Sequence, residues 1–201
     1  MPSDISRSLI KTKMSLGLTA LVLFSIATEV RLQTVSLSTV QVAVLDLIRH
    51  QKYDEAITQL EQILEREPGN SEALTYMATA NLYRSRDFFK AQTEFKEAFK
   101  AGGGATFFVT HSHEMFTTSD VVDYCRGWLH LRKNSVEFSP TEGSHGFKVQ
   151  VDQVTEFAIN KLSKKAFHIK TAGKNHNLRG RSNTDLEPLL IVALYKSFKG
   201  T

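Results

Sequence analysis

The 201-residue sequence carries 25 Lys and Arg against 21 Asp and Glu, a net charge of +4, with 13 Phe and one Cys. A single cysteine excludes an internal disulfide framework, and so mild a positive excess does not by itself point to nucleic acid. The length suits two small domains behind a short leader, with enough apolar side chains for packed cores. The charge is uneven. Residues 1–104 hold 12 basic and 12 acidic side chains, whereas residues 105–201 hold 13 and 9.

Arg7, Lys11 and Lys13 precede an apolar run of 14 residues, Met14 to Ala27, which ends Ser25-Ile26-Ala27. A basic start, a short apolar stretch and a small-x-small end describe a secretory signal peptide, here residues 1–27. The run is shorter than the roughly 20 residues of a membrane span. The expectation is export by a bacterial cell, with a periplasmic or secreted product. An uncleaved inner-membrane anchor and a buried first helix are the alternatives. Residues 28–39 read as a linker.

Residues 40–104 have helical spacing throughout. Val40, Ala43, Val44, Leu47 and Ile48 recur at the helix period, and Tyr53, Ala56, Ile57, Leu60, Ile63 and Leu64 share one face of a second helix. Pro68-Gly69-Asn70 stops it, and Ser71 is expected to cap the next helix, which buries Leu74, Met77, Ala78, Leu82 and Tyr83. A fourth helix follows Arg86-Asp87 and buries Phe88, Ala91, Phe95 and Ala98. Gly102-Gly103-Gly104 ends it and is read as a hinge. The phrase Tyr53-Asp54-Glu55-Ala56 returns 35 residues later as Phe88-Phe89-Lys90-Ala91. A period of about 34 is the mark of a helical-hairpin repeat.

This stretch resembles the tetratricopeptide repeat (TPR) family over residues 38–70 and 72–104. Ala56 and Ala91 match its small position, Tyr53 and Phe88 the aromatic before it, Phe95 and Ala98 the later aromatic and Ala, and Pro68 the closing Pro. It departs where Val44 and Thr79 stand in place of Gly, Ile63 in place of the later Ala and Gly103 in place of the closing Pro. The resemblance implies a concave groove for a peptide or partner protein, carrying Asp46, Arg49, Thr75 and Asn81. Two units are fewer than the roughly three that a solenoid needs to bury its faces. The leader, the second domain or another copy of the chain is therefore expected to cover the ends.

After the glycines the period changes from 3.6 to 2. Phe107, Val109 and His111 alternate with Phe108, Thr110 and Ser112. Arg126, Trp128, His130 and Arg132 alternate with Cys125, Gly127, Leu129 and Leu131. Val136 and Phe138 follow an Asn134-Ser135 turn, and Pro140-Thr141-Glu142-Gly143 is a loop. Strands around Phe147–Val151, Phe157–Ile159, Phe167–Ile169 and Asn175–Arg179 complete about seven. Thr184 and Glu187 have capping-box spacing ahead of a last helix with Leu186, Leu189, Leu190, Ala193, Leu194 and Phe198 on one stripe. Seven strands and a closing helix resemble the pleckstrin-homology-like (PH-like) superfold and its GRAM variants. That resemblance implies a bent barrel plugged by the helix, in a superfold that binds phosphoinositides, peptides or protein surfaces.

The fold class is thus α+β: a TPR-like repeat domain at 40–104, then an antiparallel β-barrel of about seven strands closed by a C-terminal helix at 105–201. The candidate sites are few. Lys161, Lys164, Lys165, Lys170, Lys174, Arg179 and Arg181 fall within 21 residues that hold no acid. Such a run suits an anionic lipid or phosphate, or is a solvated face that keeps strand edges apart. His111 and His113 point one way on a strand, with Glu114 next, a minimal metal set that lacks a third placed ligand. Cys125 has no His at a diagnostic spacing, and Ser144, His145 and Asp152 follow no triad order. Trp128 is read as a packing anchor. The function expected is a non-enzymatic adaptor or scaffold with a protein or peptide partner and no cofactor or metal. Anion binding by Lys161–Arg181 is the first alternative and a metal-dependent enzyme on His111 and His113 the second. Nucleic acid is not expected, and membrane contact only through an uncleaved N-terminal segment.

Overall fold

The computed structural model describes residues 40–112, 124–161, 163–182 and 184–200. The leader and linker expectations for residues 1–39, and those on His113 and Glu114, lie outside the described residues. Residues 40–49 are helical (α1), followed by α2 (Tyr53–Arg66), α3 (Ser71–Ser85) and α4 (Phe88–Lys100). Seven strands come next: β1 (Ala105–Ser112), β2 (Tyr124–Leu131), β3 (Ser135–Pro140), β4 (Phe147–Gln150), β5 (Glu156–Asn160), β6 (Ser163–Lys170) and β7 (Asn175–Gly180). Helix α5 (Leu186–Lys199) closes the chain. Helices and strands from Val44 onward belong to one compact unit, Val44–Thr201.

Local chemistry sets the helix ends. Asn70 caps α3 by accepting a hydrogen bond from the Ala73 amide, and Asp87 caps α4 by accepting from Lys90. The cap of α3 is therefore Asn70 and not Ser71, because Asn70 is still extended while Ser71 is already helical. α5 begins at Leu186 without a side-chain cap. The capping box expected from Thr184 and Glu187 does not form, because the Glu187 carboxylate turns inward to Ser182 and Tyr83.

The sheet order is β4-β3-β2-β1-β7-β6-β5, and neighbouring strands pair antiparallel. β4 and β5 are the edges, joined by a single 3-10 turn at Val151–Gln153, so the sheet is a half-barrel and not a closed barrel. Alternation puts Phe107, Leu129, Phe138, Phe167, Ile169 and Leu178 on the inner face, all essentially inaccessible to solvent. α5 covers that face. Tyr195 stacks on Phe157 at 4.2 Å, and Phe198 on Phe99 of α4 at 3.9 Å.

α3 is buried on nearly every side, which amphipathic reading of its sequence does not foresee. Ala73, Thr75, Tyr76, Ala78, Thr79, Ala80, Leu82 and Tyr83 are all buried. The reason is β1. β7 pairs with β1 only from Val109 to Ser112, so residues 104–108 have no strand on that side. Three hydroxyls of α3 take its place. Thr75 Oγ1 meets the Gly104 amide at 3.0 Å, Thr79 donates to the Thr106 carbonyl at 2.9 Å, and Tyr83 Oη accepts from the Phe108 amide at 2.8 Å. Four residues of helix rise ~6 Å and two residues of strand ~6.6 Å, so the two repeats stay in step over three contacts.

The glycine run is a packing joint. Gly103 and Gly104 are buried. A methyl group on Gly103 would press on the Ser71 carbonyl, and one on Gly104 on the Leu131 carbonyl. The hinge expected at Gly102–Gly104 is thereby corrected: backbone packs too tightly there to swing.

His130 faces outward from β2, half-buried, with Nδ1 3.1 Å from Thr106 Oγ1. Burial, with Arg132 nearby, pushes its imidazole down to about 4. Neutral His130 therefore stabilises the fold above its ordinary value of 6.5, and that stability is lost as pH falls through about 4. We expect the parent chain to lose up to ~3 kcal/mol more than His130→Gln over that interval. Urea unfolding at stepped pH measures it, and identical acid limbs would refute it.

A candidate anion-binding cleft

A cleft of about 1070 Å³ lies on the outer face of the sheet. One wall is the α1–α2 corner, Arg49, His50 and Gln51; the other is the β3–β4 loop from Thr141 to His145. The floor comes from β1, β2 and β7, through Phe108, Thr110, Arg126, Arg179 and Arg181. Among the described residues, four arginines line it against one carboxylate, Glu142.

Gln51 makes the corner. It adopts a left-handed conformation (φ 65°), and the Lys52 amide returns to the Leu47 carbonyl at 2.9 Å, ending α1 in a tight turn. Arg181 fastens that turn to the sheet. Its guanidinium donates to the carbonyls of Ile48 and Arg49, both at 3.1 Å, where the end of a helix favours a cation. It also lies over the rings of Tyr83 and Phe108, 5.6 and 5.4 Å from their centroids. On the far wall, the amide and hydroxyl of Thr141 both donate to the Arg126 carbonyl, holding the start of the β3–β4 loop over β2.

The centre of the floor is a cross-strand row. Thr110 pairs with Arg126 of β2 on one side and Arg179 of β7 on the other. All three side chains share the outer face. Strands lie ~4.8 Å apart, which sets the two arginine backbones ~10 Å from each other, well within the joint reach of their side chains. Both arginines are exposed, and neither forms an ion pair with a described residue. Arg49 differs: Asp46 holds it at 2.7 Å, and this hydrogen bond keeps the Asp46 carboxyl below the ordinary value.

Beneath the cleft lies a buried carboxylate. Glu187 is inaccessible to solvent and accepts from Tyr83 Oη at 2.9 Å, the Ser182 amide at 2.6 Å and Ser182 Oγ at 2.5 Å. Burial raises its pKa above the ordinary value even so, and burial with the neighbouring Glu187 raises that of Tyr83. The cluster joins α3, β1, α5 and the segment after β7.

The expected sites are rearranged. Of the groove residues, Asp46 and Arg49 lie on α1, Asn81 bonds Glu94 of α4 at 3.2 Å, and Thr75 is fully buried against Gly104. The face of α3 expected to line a groove is filled by the chain's own β1, so Thr75 meets no partner there. The basic run does not form one patch either. Lys161 and Lys164 stand by the β5–β6 turn, Lys170 and Lys174 by the β6–β7 turn, at opposite ends of the meander. Lys165 shares the inner phase of Phe167 and Ile169. Lys170 is paired at 2.6 Å with Glu156, which a count along the sequence misses because it comes from β5. Arg181 serves α1 from the cleft floor, and of the seven only Arg179 falls in the cross-strand row with Arg126.

His111, of the expected metal pair, points inward. Its Nε2 is 3.4 Å from His176 Nδ1, and its Nδ1 is 3.9 Å from Cys125 Sγ. Among the described residues no group of three or more His, Cys, Asp or Glu could hold a metal ion. Sequence reasoning passed over Arg126 and Thr110. The signal present was phase: Arg126 alternates with Trp128 and His130 on the outward face of one strand.

No family model matches the sequence, and no curated protein does. Solved structures similar to part of the chain include the C-terminal domain of an unknown protein from Leishmania infantum, with 14% identity over 45% of this chain and 81% of that one, and a TM-score of 0.36. The N-terminal PH domain of human ARAP2 is 7% identical over 46% of this chain and 76% of its own, with a TM-score of 0.37. The Slm1 PH domain in complex with D-myo-inositol-4-phosphate is 14% identical over 48% and 94%, with a TM-score of 0.34. Likeness of this degree carries no argument, and the fold rests on the strand order given above.

Proposed function

We propose that the protein is a non-enzymatic adaptor that holds an acidic segment of a partner in the cleft between the α1–α2 corner and the outer face of the sheet. The observation that carries this is the row Arg126–Thr110–Arg179, two guanidiniums on one face with no carboxylate paired to either among the described residues. Guanidiniums stay protonated across the physiological range, so the row is a permanent cationic seat and not a proton-transfer device. In this reading TPR-like hairpins and a PH-like half-barrel act as one body, the helices building a wall of the site where a free-standing solenoid would offer a groove. The basic, apolar, small-residue order of residues 7–27 supports an exported location for it.

The test is salt-dependent capture. The full chain on immobilised Asp- and Glu-rich peptides is expected to bind at low salt and to weaken as ionic strength rises and screening shortens. Arg126→Glu with Arg179→Glu should abolish capture, while Lys164→Glu with Lys174→Glu should leave it. Undiminished capture by the first pair would overturn the proposal.

A further inference from the structure

Resting on the adaptor reading, we infer that the Arg126–Thr110–Arg179 row is a seat for a phosphomonoester, carried on a phosphorylated side chain of a protein partner. Charge comes first. A phosphorylated side chain carries about −1.5 to −2 at pH 7, which offsets two guanidiniums, whereas one carboxylate leaves half of that charge unmatched. Geometry agrees. The register sets Arg126 on one side of Thr110 and Arg179 on the other, with the half-buried threonine side chain between them on the same face. Three acceptor oxygens thus meet two planar forks and one hydroxyl, the donor set suited to a tetrahedral anion.

The surroundings favour a protein segment over a membrane. The row is recessed between the α1–α2 corner and the β3–β4 loop, and the cleft of about 1070 Å³ has room for residues flanking the phosphate. A bilayer is held by several cations lying together, each worth about 1 kcal/mol. Here Lys161 and Lys164 lie at one end of the sheet and Lys174 at the other, so no single flat surface presents them. The ring of Phe108, packed edge-on against Trp128 at 5.0 Å, gives the seat a rigid apolar floor.

The experiment uses the full chain and four probes: inorganic phosphate, a randomised phosphoserine peptide pool, the same pool with Glu for phosphoserine, and phosphatidylserine vesicles. NMR spectra of arginine side chains report the site, and fluorescence anisotropy reports affinity. Phosphate is expected to shift the Arg126 and Arg179 side-chain signals, and the phosphoserine pool to bind at least tenfold more tightly than the Glu pool. Arg126→Ala and Arg179→Ala should each weaken that binding roughly 10- to 100-fold, with circular dichroism unchanged. Equal affinity for the Glu pool overturns the phosphate assignment and leaves anion recognition standing. Silence with every probe removes both. Binding to vesicles without the peptide pool overturns the protein source, and shifts confined to Lys164 or Lys174 overturn the site.

Discussion

Tyr83→Phe is expected to destabilise the chain by roughly 3–5 kcal/mol, from the loss of one oxygen atom. The ring stays, so packing changes little. What goes is a hydroxyl that donates to Glu187 at 2.9 Å and accepts from the Phe108 amide at 2.8 Å. The amide is left buried without its acceptor, and the carboxylate loses one of three donors. A pH signature separates this from a general loss of packing. The Tyr83 hydrogen bond is among the contacts that hold the raised Glu187 pKa down. Without it the folded-state value climbs further. Protonated Glu187 is the form a buried site accepts, so the stability gained from protonation is full below the ordinary value of 4.5 and is lost as pH rises through the folded value. The deficit of Tyr83→Phe should therefore be smallest in acid and grow toward neutrality. Chemical unfolding at several pH values reads this directly. A deficit flat with pH would show that Glu187 is not involved. Adding Glu187→Leu should recover part of the loss, because an uncompensated charge then no longer sits in the core.

Gly104→Ala is the second large effect, roughly 2–4 kcal/mol. The added methyl meets a backbone carbonyl, that of Leu131, and Arg132 beside it. A side chain can rotate away from a neighbour; a carbonyl in a β-ladder cannot, because Ala105 pairs with Leu131 there. β1 must then shift along α3, and the Thr75 and Thr79 hydroxyls lose their partners. Gly69→Ala is the matched control, since a methyl there meets nothing within 4 Å. It should change stability by less than ~0.5 kcal/mol. A pair of thermal melts decides it, and similar melting temperatures for the two variants would refute the joint.

What the sequence makes legible is whatever depends on near neighbours along the chain. Ala56, Ile57 and Leu60 announce the buried face of α2, and Phe107, Val109, Leu129 and Leu131 announce the inner face of β1 and β2. The closing helix is legible from Leu190, Leu194 and Phe198. Apart from the cap of α3, which falls on Asn70 beside the expected Ser71, the misreadings involve groups distant in sequence. Three glycines look like a hinge until Ser71 and Leu131 are seen against them. Thr75 looks like a groove residue because nothing local says that the strand 30 positions on will cover it. Lys170 looks unopposed because its carboxylate partner belongs to another strand. The cleft is the extreme case: Thr110, Arg126 and Arg179 meet only because β7 returns to pair with β1, a crossover that periodicity does not encode. Buried threonines at helical spacing, Thr75 and Thr79, were the one local hint that α3 faces a polar backbone and not an apolar neighbour.

The row of α3 hydroxyls along β1 has a consequence for how this chain can be inherited. A half-barrel lifted out by recombination would carry β1 with the carbonyls of Gly104 and Thr106 bare. Such an exposed run of strand backbone is the kind that captures other chains and seeds aggregates. The helical half, moved alone, would expose Thr75, Thr79 and Tyr83 together with Phe95 and Phe99, which pack here against Phe107 and Phe198. Neither piece is therefore a portable part. The helices guard the sheet's weak margin as much as they shape the cleft, and the two are expected to travel through evolution as a single heritable block.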